Sequence, residues 1–330
     1  MTDMRVPAWG WWLMALGLAG FVAMLAITIR RNRGVRRSLY AWPYTLWMVV
    51  FTVLPLILIA YYAFTDKAGS FTLENFANFW DSNRAMKNDL VRQGFDPVAL
   101  GMGARGTVNV GTLVYSLWMA FLCTAISLVL GYPAAHIMAD REFKLGATIV
   151  VLFIIPMWMN FLLRTIAWMS LLEDNGLINT LLQGMGLPKL RLMYNSQAVL
   201  LGMVYNYLPF MVFPIYNSLS RQDPRLSEAA MDLGADQWTT FRRVTFPISM
   251  PGIVSGITMV FMPSVTTFFI PRVLGGGNTE MFGDLIERTF LTADDWNVGS
   301  ALSLIMMVLI LLSLGLLRKV DPEGEGGSLI

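Results

Sequence analysis

Runs of apolar residues near 9–29, 41–65, 107–139, 145–172, 197–218, 249–271 and 300–317 constrain this chain more than any other feature. A helix of about 20 residues spans the roughly 30 Å of hydrocarbon in a bilayer. Inside that layer there is no water, so every backbone donor and acceptor must be paired within its own segment, and helices are the form that does this locally. The pattern predicts an all-α polytopic membrane protein. Composition agrees: 55% of the 330 residues are hydrophobic and 14% are charged, about half the charged fraction of a soluble domain. The long third and fourth runs leave room for tilt or an added surface turn.

Basic residues set the orientation, because Lys and Arg are retained on the cytoplasmic side. With the N-terminus outside, the segments 30–40, 140–144, 219–248 and 318–330 are cytoplasmic and hold 13 Lys and Arg in 59 residues. The outer segments hold 10 in 101. The first run is followed, not preceded, by its basic cluster "RRNRGVRR", which is the reverse of a secretory signal. It reads as an uncleaved anchor. The expected organisation is therefore 1–40 as an added N-terminal transmembrane anchor with a basic linker, 41–318 as the main membrane domain, and 319–330 as a cytoplasmic tail. The net charge of +2 is too small to indicate a nucleic-acid partner.

Little in the sequence supports catalysis. "GMGARG", Gly101 to Gly106, has the spacing of a dinucleotide loop but precedes a span and lacks the acidic residue that motif needs about 20 positions on, so it reads as an external loop. No phosphate-cradling G-x-x-x-x-G-K-[ST] motif occurs, and no catalytic residues, metal site or bound cofactor are expected. His136, the sole histidine, reads as interfacial packing, and Cys123, the sole cysteine, as a buried small hydrophobe. The apolar runs hold one clear internal charge, Arg164. Ion-coupled carriers place titratable groups at membrane depth, so a secondary transporter is disfavoured, as is a membrane-embedded enzyme. The energy source then lies in another polypeptide.

One polar stretch between apolar runs, "EAAMDLGADQWTTFRRVTFP" at 228–247, has the marks of a folded hairpin. Asp223 followed by Pro224 starts a helix, Leu226, Ala229, Ala230 and Leu233 recur on one of its faces, and Gly234 can adopt the left-handed turn that ends it. Asp236 starts a second helix carrying Trp238 and Phe241, which Pro247 is expected to stop. The small residues Ala229 and Ala230 beside the acids Glu228 and Asp232 suit a knob entering another protein's groove, although an amphipathic helix lying on lipid shares the pattern.

These residues carry a family resemblance. Glu228-Ala229-Ala230, Gly234, Val244 and Phe246-Pro247 are similar to the E-A-A-x3-G-x9-I-x-L-P loop of permease subunits of bacterial ABC importers, with Val for Ile and Phe for Leu. From about 41 to 318 the chain resembles the spermidine/putrescine importer permeases, notably in "LGYPAAHIMA", "LLRTIAWMSLLEDNGLIN", "YNYLPFMVFPIYNSL" and "FPISMPGIVSGITMVFMPSVTTFFIPRVLGGG". The resemblance implies a six-helix type I importer permease core, here with one additional N-terminal helix. It implies a second related permease as partner, an extracytoplasmic solute-binding protein, and two cytosolic ATPase subunits that bind the ATP and Mg. It implies ATPase coupling through Glu228, Ala229, Ala230, Asp232, Gly234 and Pro247 within the cytoplasmic loop 219–248. Permeases for other small solutes share this pattern.

For the pathway, Tyr205 and Asn206 bring hydrogen-bonding groups into an apolar helix, Trp168 offers a cation–π face, and Glu173 and Asp174 are acids at the outer mouth. Arg164, with Asn160 expected four residues before it on one helix face, would repel a polycation. Pairing with a carbonyl, with a partner's carboxylate or with outer headgroups are its alternatives, structural pairing being favoured. Gly252 and Gly256 form a G-x-x-x-G pair for close packing within the subunit or against a partner. The prolines in or beside the spans, among them Pro133, Pro156, Pro209 and Pro263, are candidates for kinks.

Overall fold

A computed structural model describes residues 42–80, 108–140 and 143–320. The expected span at 9–29 with its basic linker, the Gly101–Gly106 stretch and the tail beyond 320 lie outside them. Four described helices are each long and apolar enough to cross a membrane: Tyr44–Ala63, Asn109–Ala139, Ser196–Ser220 and Trp296–Gly315. Two bent pairs, Thr148–Trp158 with Phe161–Gly184 and Gln237–Ile248 with Met250–Thr266, raise the number to six if each pair is one span. The expectation differs from the structure at the bent pairs. The run 145–172 is two limbs meeting at 98°, not one tilted helix. The run 249–271 ends as a helix at Thr266, is extended at Thr267, and resumes as the separate helix Phe269–Gly275.

The chain divides into two compact units. In the first, Trp42–Met48 passes into Leu54–Ala63 through the π-helical turn Val49–Val53, directly ahead of Pro55. A proline ring collides with the carbonyl four residues back, and a wider turn relieves that clash without ending the helix. At the other end of this helix, carbonyls without intrahelical partners are taken up by two buried amides. Asn75 Nδ2 donates to Ala63 O at 2.9 Å and Thr65 O at 2.8 Å, and Asn297 Nδ2 donates to Thr65 O at 2.6 Å and Tyr62 O at 3.1 Å.

The second unit is organised around the helix Ser196–Ser220, which buries Val199, Met203, Met211, Val212 and Ile215. In lipid the hydrophobic effect does not drive helices together, so close contact between small residues and backbone has to. The glycine pair does this inside the subunit. A β-carbon at Gly252 would lie 2.6 Å from Ser218 Cβ and 2.7 Å from Pro214 O, and one at Gly256 would lie 2.8 Å from Met211 Sδ. Gly131 of the helix Val108–Ala139 presses on the same Met211 from its own side, a β-carbon there meeting Cγ at 3.1 Å. Three helices thus converge on Met211.

Gly252→Ala places its methyl group against the Pro214 carbonyl, which cannot rotate away. The expected outcome is a destabilisation of about 1–3 kcal/mol, seen as a lowered melting temperature of the protein in detergent. Gly315→Ala, where nothing lies within 4 Å of the added carbon, leaves the melting temperature unchanged or slightly raised.

Candidate functional site

The polar hairpin forms as the residue types dictate. The Asp223 side chain accepts from Arg225 N at 3.0 Å, with Pro224 in the first turn of the helix Pro224–Asp232. Gly234 has φ of 87° and closes a Schellman motif, Gly234 N donating to Met231 O at 2.9 Å and Ala235 N to Ala230 O at 3.1 Å. Asp236 begins the second helix, its carboxyl held below its ordinary range by the Thr239 hydroxyl first and then by nearby amides. Pro247 does not stop this helix. The π-helical turn Phe241–Thr245 accommodates it, the helix runs to Ile248, and the chain bends by 61° at Ser249 before Met250–Thr266.

Glu228, Ala229, Asp232, Gly234 and Pro247 are exposed and Ala230 is half-buried. The helix Pro224–Asp232 contains no buried residue. Among the described residues nothing covers its apolar side: Leu226 and Met231 are exposed, Leu233 just past its end is 90% exposed, and Trp238 of the second helix is exposed as well. The second half of the hairpin is anchored through ring contacts of Phe241 with Tyr132 and His136. His136 thus packs in an aromatic cluster, stacked on Tyr132.

A second group forms at the 98° break. Asn160 lies outside the helices, with φ of −57° and ψ of 126°, and caps Phe161–Leu172 by accepting from Leu162 N at 2.8 Å and Leu163 N at 3.3 Å. It therefore does not share a helix face with Arg164. Arg164, 7% exposed, donates from Nε to Asn206 Oδ1 at 2.7 Å and from a terminal nitrogen to the Pro156 carbonyl. The Pro156 carbonyl belongs to the last turn of Gly146–Trp158, where unpaired acceptors and the negative end of the helix dipole favour a cation. Asn206, 1% exposed, completes its own bonding by donating to Gly202 O at 2.8 Å. Tyr205, on the open side of the central helix, meets Trp168 edge-on at 5.0 Å, with the Arg164 guanidinium carbon 5.9 Å from its ring centre. Arg164, Asn206, Tyr205 and Trp168 are thus one cluster. Glu173 and Asp174 are exposed in the turn that follows Phe161–Leu172.

A charged patch that no sequence motif marks forms ahead of the last long helix. Arg272 grips both oxygens of Glu287, at 2.6 and 2.8 Å, and Arg288 pairs with Glu280 at 2.9 Å. Burial raises the carboxyl groups of Glu280 and Asp284 above their usual range. Acids and bases eight and fifteen residues apart carry no local signal for such pairing.

Residues 127–323 match the family described as binding-protein-dependent transport system inner membrane component. The spermidine/putrescine transport system permease protein PotB of Salmonella typhimurium strain LT2 is 33% identical over 272 residues, covering 80% of this chain and 86% of that protein. PotB of Escherichia coli K12 is 32% identical over 272 residues, covering 80% and 90%, and PotB of Haemophilus influenzae is 32% identical over 274 residues, covering 81% and 87%. Among solved structures, a bacterial ABC transporter involved in the import of the acidic polysaccharide alginate has a chain that superposes with a TM-score of 0.63 at 15% identity, covering 90% of this chain and 99% of that one. That likeness shows a shared permease fold.

The break cluster makes an asymmetric prediction for thermal unfolding. Arg164→Met leaves Asn206 Oδ1 without its donor and Pro156 O with only the Met159 amide, and is expected to cost about 1.5–3 kcal/mol. Asn206→Leu strands a buried guanidinium and costs more, and the double variant recovers part of that loss. Strictly additive melting shifts would show that the two side chains do not act together.

Proposed function

The chain belongs to the family of binding-protein-dependent transport system inner membrane components, and from that premise we propose that it is the membrane-spanning permease of an ATP-driven importer whose cargo is a polyamine, spermidine or putrescine. The cargo is supported by the relatives at 32–33% identity across four-fifths of the chain, which are named spermidine/putrescine permeases. The observation that carries the transport role is the hairpin 223–248. Its cap and turn are closed by hydrogen bonds, it lies between two membrane helices, and it offers an apolar stripe that no described residue of this chain covers. Burying such a stripe is favourable, and the occupant proposed is a cytosolic ATPase subunit, which binds the ATP and Mg this chain has no motif for. Glu228, Ala229, Ala230, Asp232 and Gly234 form the inserted surface. A second, related permease supplies the other half of the pathway, and a solute-binding protein delivers cargo from outside. Residues 1–40 serve as a peripheral anchor to the permease domain 41–318.

A polyamine carries several ammonium groups, and moving each to membrane depth without partners costs at least a few kcal/mol. The route proposed runs past Tyr205 and Trp168, with Glu173 and Asp174 at its outer mouth. Asn206 supports this route instead of lining it, since both ends of its amide are committed to Arg164 and Gly202. The Arg164 guanidinium is held inside the subunit by Asn206 and the Pro156 carbonyl and does not itself line the route.

Reconstituted with its partners, the complex is expected to hydrolyse ATP faster when the binding protein is loaded with spermidine or putrescine than when it is empty. Stimulation by an unrelated solute alone would overturn the cargo. Tyr205→Ala is expected to lower spermidine uptake roughly three- to tenfold, the scale of one lost cation–π contact, with smaller effects on assembly and basal hydrolysis. An equal fall in all three would make Tyr205 structural. Gly234→Leu, forced into a left-handed backbone, should insert normally yet co-purify with less ATPase, and unchanged co-purification would remove the docking assignment.

A further inference from the structure

The geometry points to the elbow at Ser249, with Tyr132 and Phe241, as the joint that divides the hairpin's displacement between two membrane helices and so couples hydrolysis to transport. The inference rests on the hairpin being the ATPase-docking element and adds what lies behind it. Ser249 sits in the 61° bend, fully enclosed, where the hairpin's second helix meets Met250–Thr266. Its amide donates to Thr245 O at 3.0 Å and Phe246 O at 3.1 Å, and its hydroxyl donates to Phe246 O at 2.8 Å. A serine hydroxyl has one proton. Since that proton is given to Phe246 O, the 3.0 Å contact between Ser249 Oγ and the Tyr132 hydroxyl has Tyr132 as its donor.

Tyr132 belongs to the other helix, Val108–Ala139, near its cytoplasmic end. Around this one bond the hairpin's rings close on that helix. Phe241 meets Tyr132 edge-on at 5.9 Å and His136 at 5.8 Å, Phe246 meets Tyr132 at 5.7 Å, and Trp238 stacks on Phe241 at 5.5 Å. Among the described residues the docking half of the hairpin has no comparable hold. A push on it therefore reaches Met250–Thr266 through the covalent elbow and Val108–Ala139 through the Tyr132 bond and the ring cluster. Packed aromatic contacts of this kind switch between discrete arrangements instead of bending. The π-helical turn Phe241–Thr245 lies inside the joint, and such a turn places the aromatic ring of Phe241 at a register an ordinary helix would not.

Removing the bond while keeping the ring separates a coupling role from packing. In the complete importer reconstituted in proteoliposomes, spermidine uptake and ATP hydrolysis are measured together, per purified complex. Tyr132→Phe is expected to leave ATPase co-purification and stimulated hydrolysis within twofold of the parent while lowering spermidine carried per ATP at least threefold. Ser249→Ala strands the Tyr132 hydroxyl and lowers that ratio further. The double variant returns to the Tyr132→Phe value. Phe241→Leu, which removes the ring contacts, lowers the ratio as well. An unchanged ratio in Tyr132→Phe and Phe241→Leu, or uptake and hydrolysis falling in equal proportion, overturns the joint. Loss of ATPase from the Tyr132→Phe complex also overturns it, since the residue would then act in docking. The docking assignment itself is decided by Gly234→Leu, whose co-purification does not depend on the ratio.

Discussion

Backbone groups that lose their helical partners in a membrane cannot turn to water, and the rest of this structure follows from how those groups are satisfied. Three departures from straight helix are furnished with side chains that pair the freed groups. At the 98° break Asn160 takes the amides of Leu162 and Leu163 while Arg164 takes the Pro156 carbonyl. At the 61° bend Ser249 takes Phe246 O and receives Tyr132. Beyond Ala63 the amides of Asn75 and Asn297 collect the last carbonyls. At Pro55 and Pro247, two of the prolines that stay within helices, a π-helical turn precedes the ring.

This constraint also explains what was legible from residues alone. Length and apolarity locate the helices Tyr44–Ala63, Asn109–Ala139, Ser196–Ser220 and Trp296–Gly315 to within a few residues, because spanning hydrocarbon is a property of each segment by itself. The hairpin was equally legible, since Asp223, Pro224 and Gly234 act through their own backbone preferences. The breaks were not. "IIPMWMNFLLR" is apolar enough to read as one helix, and only the tertiary position of Asn206 shows that Arg164 turns back to cap the limb before it. The same holds for Pro247, whose effect depends on the preceding turn, and for Tyr132 and Ser249, 117 positions apart in sequence. The glycine pair declared close packing but not its partner, which proved to be Pro214, Ile215 and Met211 of the same subunit.

Two kinds of surface result, with different physical demands. Small residues and enclosed side chains hold the central helix against its neighbours, and the Arg164 guanidinium is fixed by acceptors on two sides. In the hairpin the backbone turns are closed by hydrogen bonds while Leu226, Met231, Leu233 and Trp238 stay exposed. A protein that works alone in the membrane gains nothing from such a face. One that receives force from an ATPase needs a stiff element whose apolar stripe is completed by that partner.

The most direct test uses the sole cysteine's enclosure: Cys123 is buried, so a thiol placed by Leu233→Cys is the accessible one. Membrane vesicles of either orientation are treated with an impermeant maleimide, with and without the ATPase subunits. The account predicts labelling at 233 in inside-out vesicles stripped of ATPase, protection when the ATPase is restored, and none in right-side-out vesicles. Labelling from the outer face, or labelling indifferent to the ATPase, would contradict it.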